Sequence, residues 1–130
     1  WESHALEHVL SALNPKVAHG AGLAVIMPAW MRYVWREDPS RFLSFAYEVF
    51  GLEPKDGRES SIAETVEGAI DELQEFFARQ TMPTPLEELG FTEGDIDTLV
   101  DIVIDAKGNP FGVFKPLTEK DMKAIYLSAF

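Results

Sequence analysis

Apolar side chains recur every three to four residues along most of the chain, which is the period of an α-helix that buries one face. The first such segment carries Leu6, Val9, Leu10 and Leu13, and the pair Asn14-Pro15 ends it. No run of residues alternates between apolar and polar as a half-buried strand does. The pattern therefore predicts a single all-α, bundle-like domain over residues 1–130.

Helix-capping residues and prolines mark where these segments begin. Ser3 is a candidate cap for the first helix, and Asp38-Pro39 places a cap and an N1 proline before the third. Thr118 with Asp121 has the spacing of a capping box for the last helix. Further helices are predicted to start at His19, at Ser60 or Ser61, and at Thr92.

Charge and cysteine content narrow the function classes. The formal net charge of -11 argues against a nucleic acid or an anionic membrane as partner, since both require clustered basic residues. The chain has no cysteine, which excludes disulfides and thiolate metal sites and fits a reducing cytoplasm. The longest apolar stretch, residues 21–34, is too short to span a bilayer. We therefore expect a cytoplasmic protein that binds neither nucleic acid nor membrane.

Three histidines, the only ones in the chain, lie at positions 4, 8 and 19. His4 and His8 are four residues apart and so share one face of a helix. If the second helix returns antiparallel to the first, His19 comes back toward that face. The spacing permits one metal held by two or three imidazoles, or a metal with a neighbouring proton donor. The alternative is one surface histidine and one core histidine bonded to backbone, with His19 as an ordinary helix-start residue.

Carboxylates near the histidines decide which metal suits the site. Three imidazoles hold Zn²⁺ well, whereas carboxylate with histidine suits Fe²⁺ or Zn²⁺. Glu2 and Glu7 are close in sequence but are predicted to lie on other faces of the helix from His4. We expect both to be solvated surface residues.

Several short segments together resemble one enzyme family. These segments are H-x-x-x-H at His4 and His8, then LSAL at 10–13, HGAGLA at 19–24, PAWM at 28–31 and GVFKPLT at 112–118. They are similar to the iron-containing (group III) alcohol dehydrogenases, especially the butanol-dehydrogenase-like branch. The resemblance implies the helical C-terminal domain of a dehydroquinate synthase-like fold.

The resemblance also implies roles for the histidines. In this family a divalent metal, Fe²⁺ or Zn²⁺, is held by one aspartate and three histidines between two domains. On that pattern His4 and His19 resemble two of the metal ligands, and His8 resembles the non-ligand histidine proposed to transfer protons. The cofactor NAD(P)H is bound mainly by an N-terminal α/β domain, and the expected substrates are small primary alcohols and aldehydes. Trp30 is a candidate lining residue for the substrate pocket, although a core role is the commoner fate of such an aromatic.

The remaining ligands and the glycine-rich phosphate loop of the family have no counterpart here. We interpret Gly20 and Gly22 as close-packing positions on a buried helix, and the start at Trp1, in mid-pattern, as a cut within a longer enzyme. The expected partner is then the missing N-terminal domain, and the isolated chain is expected to be inactive and to self-associate through an apolar patch. Competing hypotheses are a non-enzymatic helical module for oligomerisation or partner binding, and a stand-alone hydrolase with a three-histidine metal site.

Overall fold

A computed structural model describes residues 2–130 of the chain. Six α-helices make up most of it: α1 (Glu2–Leu13), α2 (His19–Val34), α3 (Pro39–Phe50), α4 (Glu59–Arg79), α5 (Ile96–Lys107) and α6 (Glu119–Ser128). Short 3-10 turns occupy Trp35–Glu37, Leu86–Leu89 and Glu93–Asp95. The described part of the chain contains no strand, only one isolated bridge between Phe111 and Leu117. The predicted all-α class is confirmed.

Helix α2 lies at the centre of the packing. It contacts α1, α4 and α6, while α5 packs against α1 and α6, and α3 packs against α4. All six helices contribute completely buried residues to the core, among them Leu6, Ile26, Ala46, Ile70, Leu99 and Ile125. Removing these apolar side chains from water is the main favourable term in folding. The helical period seen in the sequence therefore corresponds to real buried faces.

The predicted start of α6 is confirmed in detail. The Thr118 backbone N–H donates to Asp121 Oδ2 at 2.8 Å, and the Asp121 N–H donates back to Thr118 Oγ1 at 3.3 Å. This reciprocal capping box satisfies two of the backbone donors that a helix N-terminus leaves unpaired. Thr92 and Asp95 form a second capping box, which caps the 3-10 turn Glu93–Asp95 that leads into α5.

Other helix starts differ from the sequence-based expectation. Helix α1 already includes Glu2, so Ser3 lies inside it and is no cap. Helix α4 begins at Glu59, ahead of the serines that follow it. Asp38 precedes α3 as predicted but makes no capping bond, because its carboxylate accepts the Ser40 hydroxyl at 2.6 Å.

The loop between α5 and α6 folds back onto the start of α1. The Glu2 carboxylate accepts hydrogen bonds from Trp30 Nε1 at 3.0 Å, from the Phe114 N–H at 2.7 Å and from the Lys115 N–H at 3.2 Å. Glu2 is only 5% exposed. The expectation of a solvated Glu2 is wrong, because three donors from distant parts of the chain compensate the loss of water.

Among residues 2–130, no helix combines the length and the apolar character that a membrane crossing requires.

Candidate metal centre

Helices α1 and α2 pack side by side in opposite directions. Glu2 at the start of α1 bonds Trp30 near the end of α2, whereas Glu7 bonds His19 at the start of α2. The connector of residues 14–18 therefore returns the chain antiparallel, which is the arrangement that the sequence allowed. His19 lies beside the face of α1 that carries the other two histidines.

The three imidazoles form one group, which we call the histidine cluster (His4, His8 and His19). Ring centroids are 6.2 Å apart for His4 and His8, 5.4 Å for His4 and His19, and 5.3 Å for His8 and His19. His4 is half-buried and His8 is exposed, while the His19 side chain is 49% exposed. All three rings are thus in mutual contact at the protein surface, where a solute can reach them.

Glu7 lies beneath this cluster, completely buried. Its Oε2 pairs with His19 Nδ1, and its Oε1 has no hydrogen-bond partner among the described residues. The expectation that Glu7 is a solvated surface residue is wrong. A usable signal was present in the sequence, because Glu7 adjoins Leu6 and precedes Leu10 by three residues, which places it within the apolar stripe of α1.

Gly22 makes room for this buried carboxylate. A Cβ at position 22 would lie 2.8 Å from Glu7 Cγ, closer than real carbon contacts allow. The prediction of a close-packing glycine is correct for Gly22, although its neighbour is a carboxylate rather than an apolar side chain. The same prediction is wrong for Gly20, which is exposed and where an added Cβ would have Met82 Cε, at 3.8 Å, as its nearest atom.

Tyr126 adds a second buried polar group near Glu7. Its hydroxyl donates to the Leu6 carbonyl at 2.6 Å. Burial, together with the negative charge of Glu7, raises the pKa of Tyr126 well above its ordinary value. The phenol therefore stays neutral in the presence of the Glu7 charge.

The donor set fits a divalent metal. One ligand atom from each of Glu7, His8 and His19 lies within 4.8 Å of the others, which is close enough to share a cation. This group contains His8, the predicted proton carrier, and does not contain His4, one of the two predicted ligands. Imidazole nitrogens with a carboxylate suit Zn²⁺ or Fe²⁺. Because the imidazoles are at the surface, a bound ion would keep positions open for ligands from outside residues 2–130.

A cleft of about 660 Å³ lies beside the amino-terminal part of α1. Glu2 and Ala5 line it from α1, and Trp30, Phe111 and Phe114 supply aromatic walls. The Trp30 and Phe114 ring centroids are 5.8 Å apart. We call this feature the aromatic cleft. Its rim carries Val113, which is 99% exposed.

The fold and the histidine cluster agree with a single protein class. Residues 1–130 match the family described as the Fe-containing alcohol dehydrogenase family, C-terminal. The chain therefore belongs to the iron-containing alcohol dehydrogenases and corresponds to their C-terminal helical domain.

Relatives within this class are alcohol dehydrogenases by name. The chain is 34% identical over 125 residues to the probable NADH-dependent butanol dehydrogenase 1 of Bacillus subtilis, covering 96% of this chain and 31% of that protein. It is 27% identical over 131 residues to NADH-dependent butanol dehydrogenase A of Clostridium acetobutylicum, covering 100% of this chain and 32% of that protein. The chain thus spans about a third of the length of these relatives.

Solved structures of other proteins contain a domain with the same fold. NADH-dependent butanol dehydrogenase A from Thermotoga maritima superposes with a TM-score of 0.85 at 36% identity, over 99% of this chain and 32% of that one. An aldehyde reductase from E. coli superposes with a TM-score of 0.88 over 100% of this chain and 33% of that one. At 24% identity the second likeness concerns the fold alone.

Proposed function

We propose that this chain supplies the metal-binding part of the active site of an alcohol dehydrogenase or aldehyde reductase. In this proposal His4 and His19 are ligands to Fe²⁺ or Zn²⁺, and His8 carries protons. The substrates are small primary alcohols and aldehydes, and NAD(P)H is bound mainly by a separate domain. The observation that carries the proposal is the convergence of three imidazoles from two consecutive helices in a chain of this family.

The bound metal supplies Lewis-acid chemistry at the oxygen of the substrate. The chain's own contribution is to hold the ligands in place before the ion arrives. His19 is held at Nδ1 by Glu7, which leaves Nε2 as its available nitrogen. His4 is half-buried on α1 and contacts both other rings, so its motion is restricted.

His8 has the surroundings that a proton carrier needs. It is exposed, and its ring centroid lies 5.3 Å from that of His19. An imidazole in this position can take the hydroxyl proton of an alcohol and pass it to water, or deliver a proton during aldehyde reduction.

The aromatic cleft is the candidate site for the apolar part of the substrate. Trp30, Phe111 and Phe114 present apolar surface there, as small-molecule sites usually do. A nicotinamide would supply the hydride for aldehyde reduction or accept it in alcohol oxidation, and it would be held mainly by the separate domain, since this chain has no glycine-rich phosphate loop. We therefore expect the isolated chain to show no NAD(P)H-dependent reduction of butanal.

The ligand assignment is tested by titrating the chain with Zn²⁺ or Co²⁺ in a calorimeter. We expect weak binding, which His4→Ala and His19→Ala each reduce by at least about tenfold because each removes one of few ligands. His8→Ala serves as the matched control and is expected to change the affinity by less than about twofold. An equal loss from His8→Ala, or nanomolar affinity that survives His19→Ala, would contradict the assignment.

The proton-carrier role is tested in the enzyme that contains this chain together with its nicotinamide-binding domain. There we expect His8→Ala to lower kcat by about 10²–10⁴-fold, the usual contribution of a positioned acid or base. Metal content should stay unchanged. If the His4→Ala, His19→Ala double variant kept full activity and all binding properties, a non-enzymatic helical module would be the better description.

A further inference from the structure

We infer that Glu7 is a positioning residue for the metal site: its buried carboxylate holds His19 with the proton on Nδ1, and so presents Nε2 to a cation. The effect on metal affinity rests on the function proposed above. The tautomer of His19 does not, because it is a property of the metal-free chain. Nothing in the sequence pattern alone assigned Glu7 any role.

The first argument is the burial of Glu7. A carboxylate that is completely removed from water loses its hydration and is tolerated when it is paired. His19 Nδ1 is the hydrogen-bond partner that Glu7 has among the described residues, and it binds Oε2. The cost of burying Glu7 is therefore linked directly to the orientation of one histidine.

The second argument is that the interface between α1 and α2 is shaped for this carboxylate. Gly22 lies one helical turn beyond His19, and any side chain there would overlap Glu7, with Cβ 2.8 Å from Glu7 Cγ. A glycine inside a helix lowers helix stability relative to alanine. Space for Glu7 is the feature of the structure that accounts for glycine at this position.

The third argument is chemical. A neutral imidazole has one N–H donor and one nitrogen lone pair. Because a carboxylate oxygen accepts a hydrogen bond, the His19 proton belongs on Nδ1, and the lone pair is on Nε2. Metal-binding histidines commonly donate their other N–H to a carboxylate in this way, which fixes the ring and raises its basicity.

A direct ligand role for Glu7 is the competing explanation. Glu7, His8 and His19 do bring ligand atoms within 4.8 Å of one another. However, Glu7 is fully buried while the His19 side chain is 49% exposed, so an ion arriving from solvent meets the rings first. The geometry thus favours a carboxylate behind the ligand.

The tautomer is measured on the ¹⁵N-labelled, metal-free chain by long-range ¹H–¹⁵N correlation of the His19 ring. The measurement is made at about pH 8.5, above the range in which an ordinary imidazole is protonated. We expect the Nδ1–H form in the unmodified chain and in Glu7→Gln, whose amide oxygen still accepts. In Glu7→Leu, the His19 ring should change to the Nε2–H form or to a mixture of the two tautomers. If leucine disturbs the packing, Glu7→Met makes the same test.

The matched control is Glu2→Gln. It removes the charge of the other buried glutamate on α1, which bonds Trp30 and two backbone N–H groups but no histidine. We expect it to leave the His19 spectrum unchanged. An Nε2–H tautomer in the unmodified chain, or an unchanged spectrum in Glu7→Leu, would overturn the inference.

The consequence for metal binding is measured by Zn²⁺ titration of the same folded variants. We expect Glu7→Leu to weaken binding about 10–100-fold, the range typical of lost partners behind a ligand. Glu7→Gln should restore most of that loss, and Glu2→Gln should stay within about twofold. If Glu7→Gln loses as much Zn²⁺ affinity as Glu7→Leu, Glu7 is a ligand and the positioning role is wrong. If the unmodified chain does not bind Zn²⁺ but His19 has the expected tautomer, the proposed function fails while the role of Glu7 in orienting His19 stands.

Discussion

At the scale of single residues, helix α1 carries two buried carboxylates, and each has a glycine facing it. A Cβ added at Gly112 would lie 2.8 Å from Glu2 Cγ, and one added at Gly22 would lie at the same distance from Glu7 Cγ. Glu2 has three donors, whereas Glu7 has its partner in His19. Glu2 therefore connects the start of α1 to α2 and to the loop before α6, whereas Glu7 connects α1 to His19 in the histidine cluster.

Gly22→Ala tests whether the space around Glu7 is needed. The added methyl group would overlap the carboxylate, so we expect the free energy of unfolding to fall by about 1–3 kcal/mol, as overpacked cores do. Urea denaturation followed by circular dichroism measures this change.

Gly68→Ala is the matched control for that variant. Gly68 is also helical, but a Cβ there meets no atom within 4 Å. We expect it to stabilise the chain by about 0.5–1 kcal/mol through helix propensity. Equal stabilisation by Gly22→Ala would show that the close approach to Glu7 is unimportant.

The pair of Tyr33 and Asp121 predicts a loss of stability at high pH. The Tyr33 hydroxyl donates to Asp121, and this hydrogen bond, with burial and the Asp121 charge, raises the pKa of Tyr33 to about 12. A raised pKa in the folded state gives a contribution that is complete below the ordinary tyrosine pKa near 10.0 and is lost toward 12. We expect the free energy of unfolding to fall over this window.

Denaturant titrations at several pH values between about 9 and 12 measure this effect. The free energy of unfolding should fall less steeply with pH in Tyr33→Phe, because phenylalanine has no hydroxyl proton to lose. Tyr47→Phe is the control, because Tyr47 is 54% exposed. Parallel curves for the unmodified chain and Tyr33→Phe would count against the assignment.

At the scale of elements, the connection between α1 and α2 determines the site. His4 and His8 share a face of α1 through the helical period alone, but His19 reaches them only because α2 returns alongside α1. The same packing brings Gly22 against Glu7. One helix pair thus provides the three imidazoles, the carboxylate behind them and the space that the carboxylate needs.

The start of α6 offers a test of helix-end energetics. Thr118→Ala removes the side-chain acceptor of the capping box and should lower the free energy of unfolding by about 1 kcal/mol. Thr98→Ala is the control, since Thr98 is an exposed residue of the first turn of α5 that does not occupy the cap position, and alanine has the higher helix propensity. Thermal melts of both variants measure the loss of stability that each substitution causes. A loss from Thr98→Ala as large as that from Thr118→Ala would mean that the cap contributes nothing specific.

At the scale of the whole molecule, the aromatic cleft and its rim form apolar surface next to the start of α1. Val113 is 99% exposed beside Phe114, which lines the cleft. Exposed apolar patches commonly mark interaction sites. We propose that this face contacts the nicotinamide-binding domain, and that in its absence the chain self-associates there.

Sedimentation velocity over a wide concentration range, with hydrophobic-dye fluorescence, measures this self-association. We expect Val113→Ser to lower both dye binding and the proportion of larger species, because it removes apolar area from the rim. Val49→Ser is the control, since Val49 is 59% exposed on α3, away from the residues that line the cleft. A strictly monomeric chain without dye binding would contradict the prediction.

The sequence by itself determined the local features of this protein. Helical periodicity, the Thr118 and Asp121 cap and the shared face of His4 and His8 depend on residues a few positions apart, and short-range geometry dictates them. Only the tertiary structure decided which partners Glu2 and Glu7 have. A buried carboxylate depends on the donors that distant segments bring to it, here Trp30 and His19 on α2, and no local pattern contains those donors. The histidines were therefore predictable as a group, and the apolar stripe of α1 carried a signal for the burial of Glu7, whereas the pairing of Glu7 with His19 depends on how the two helices pack.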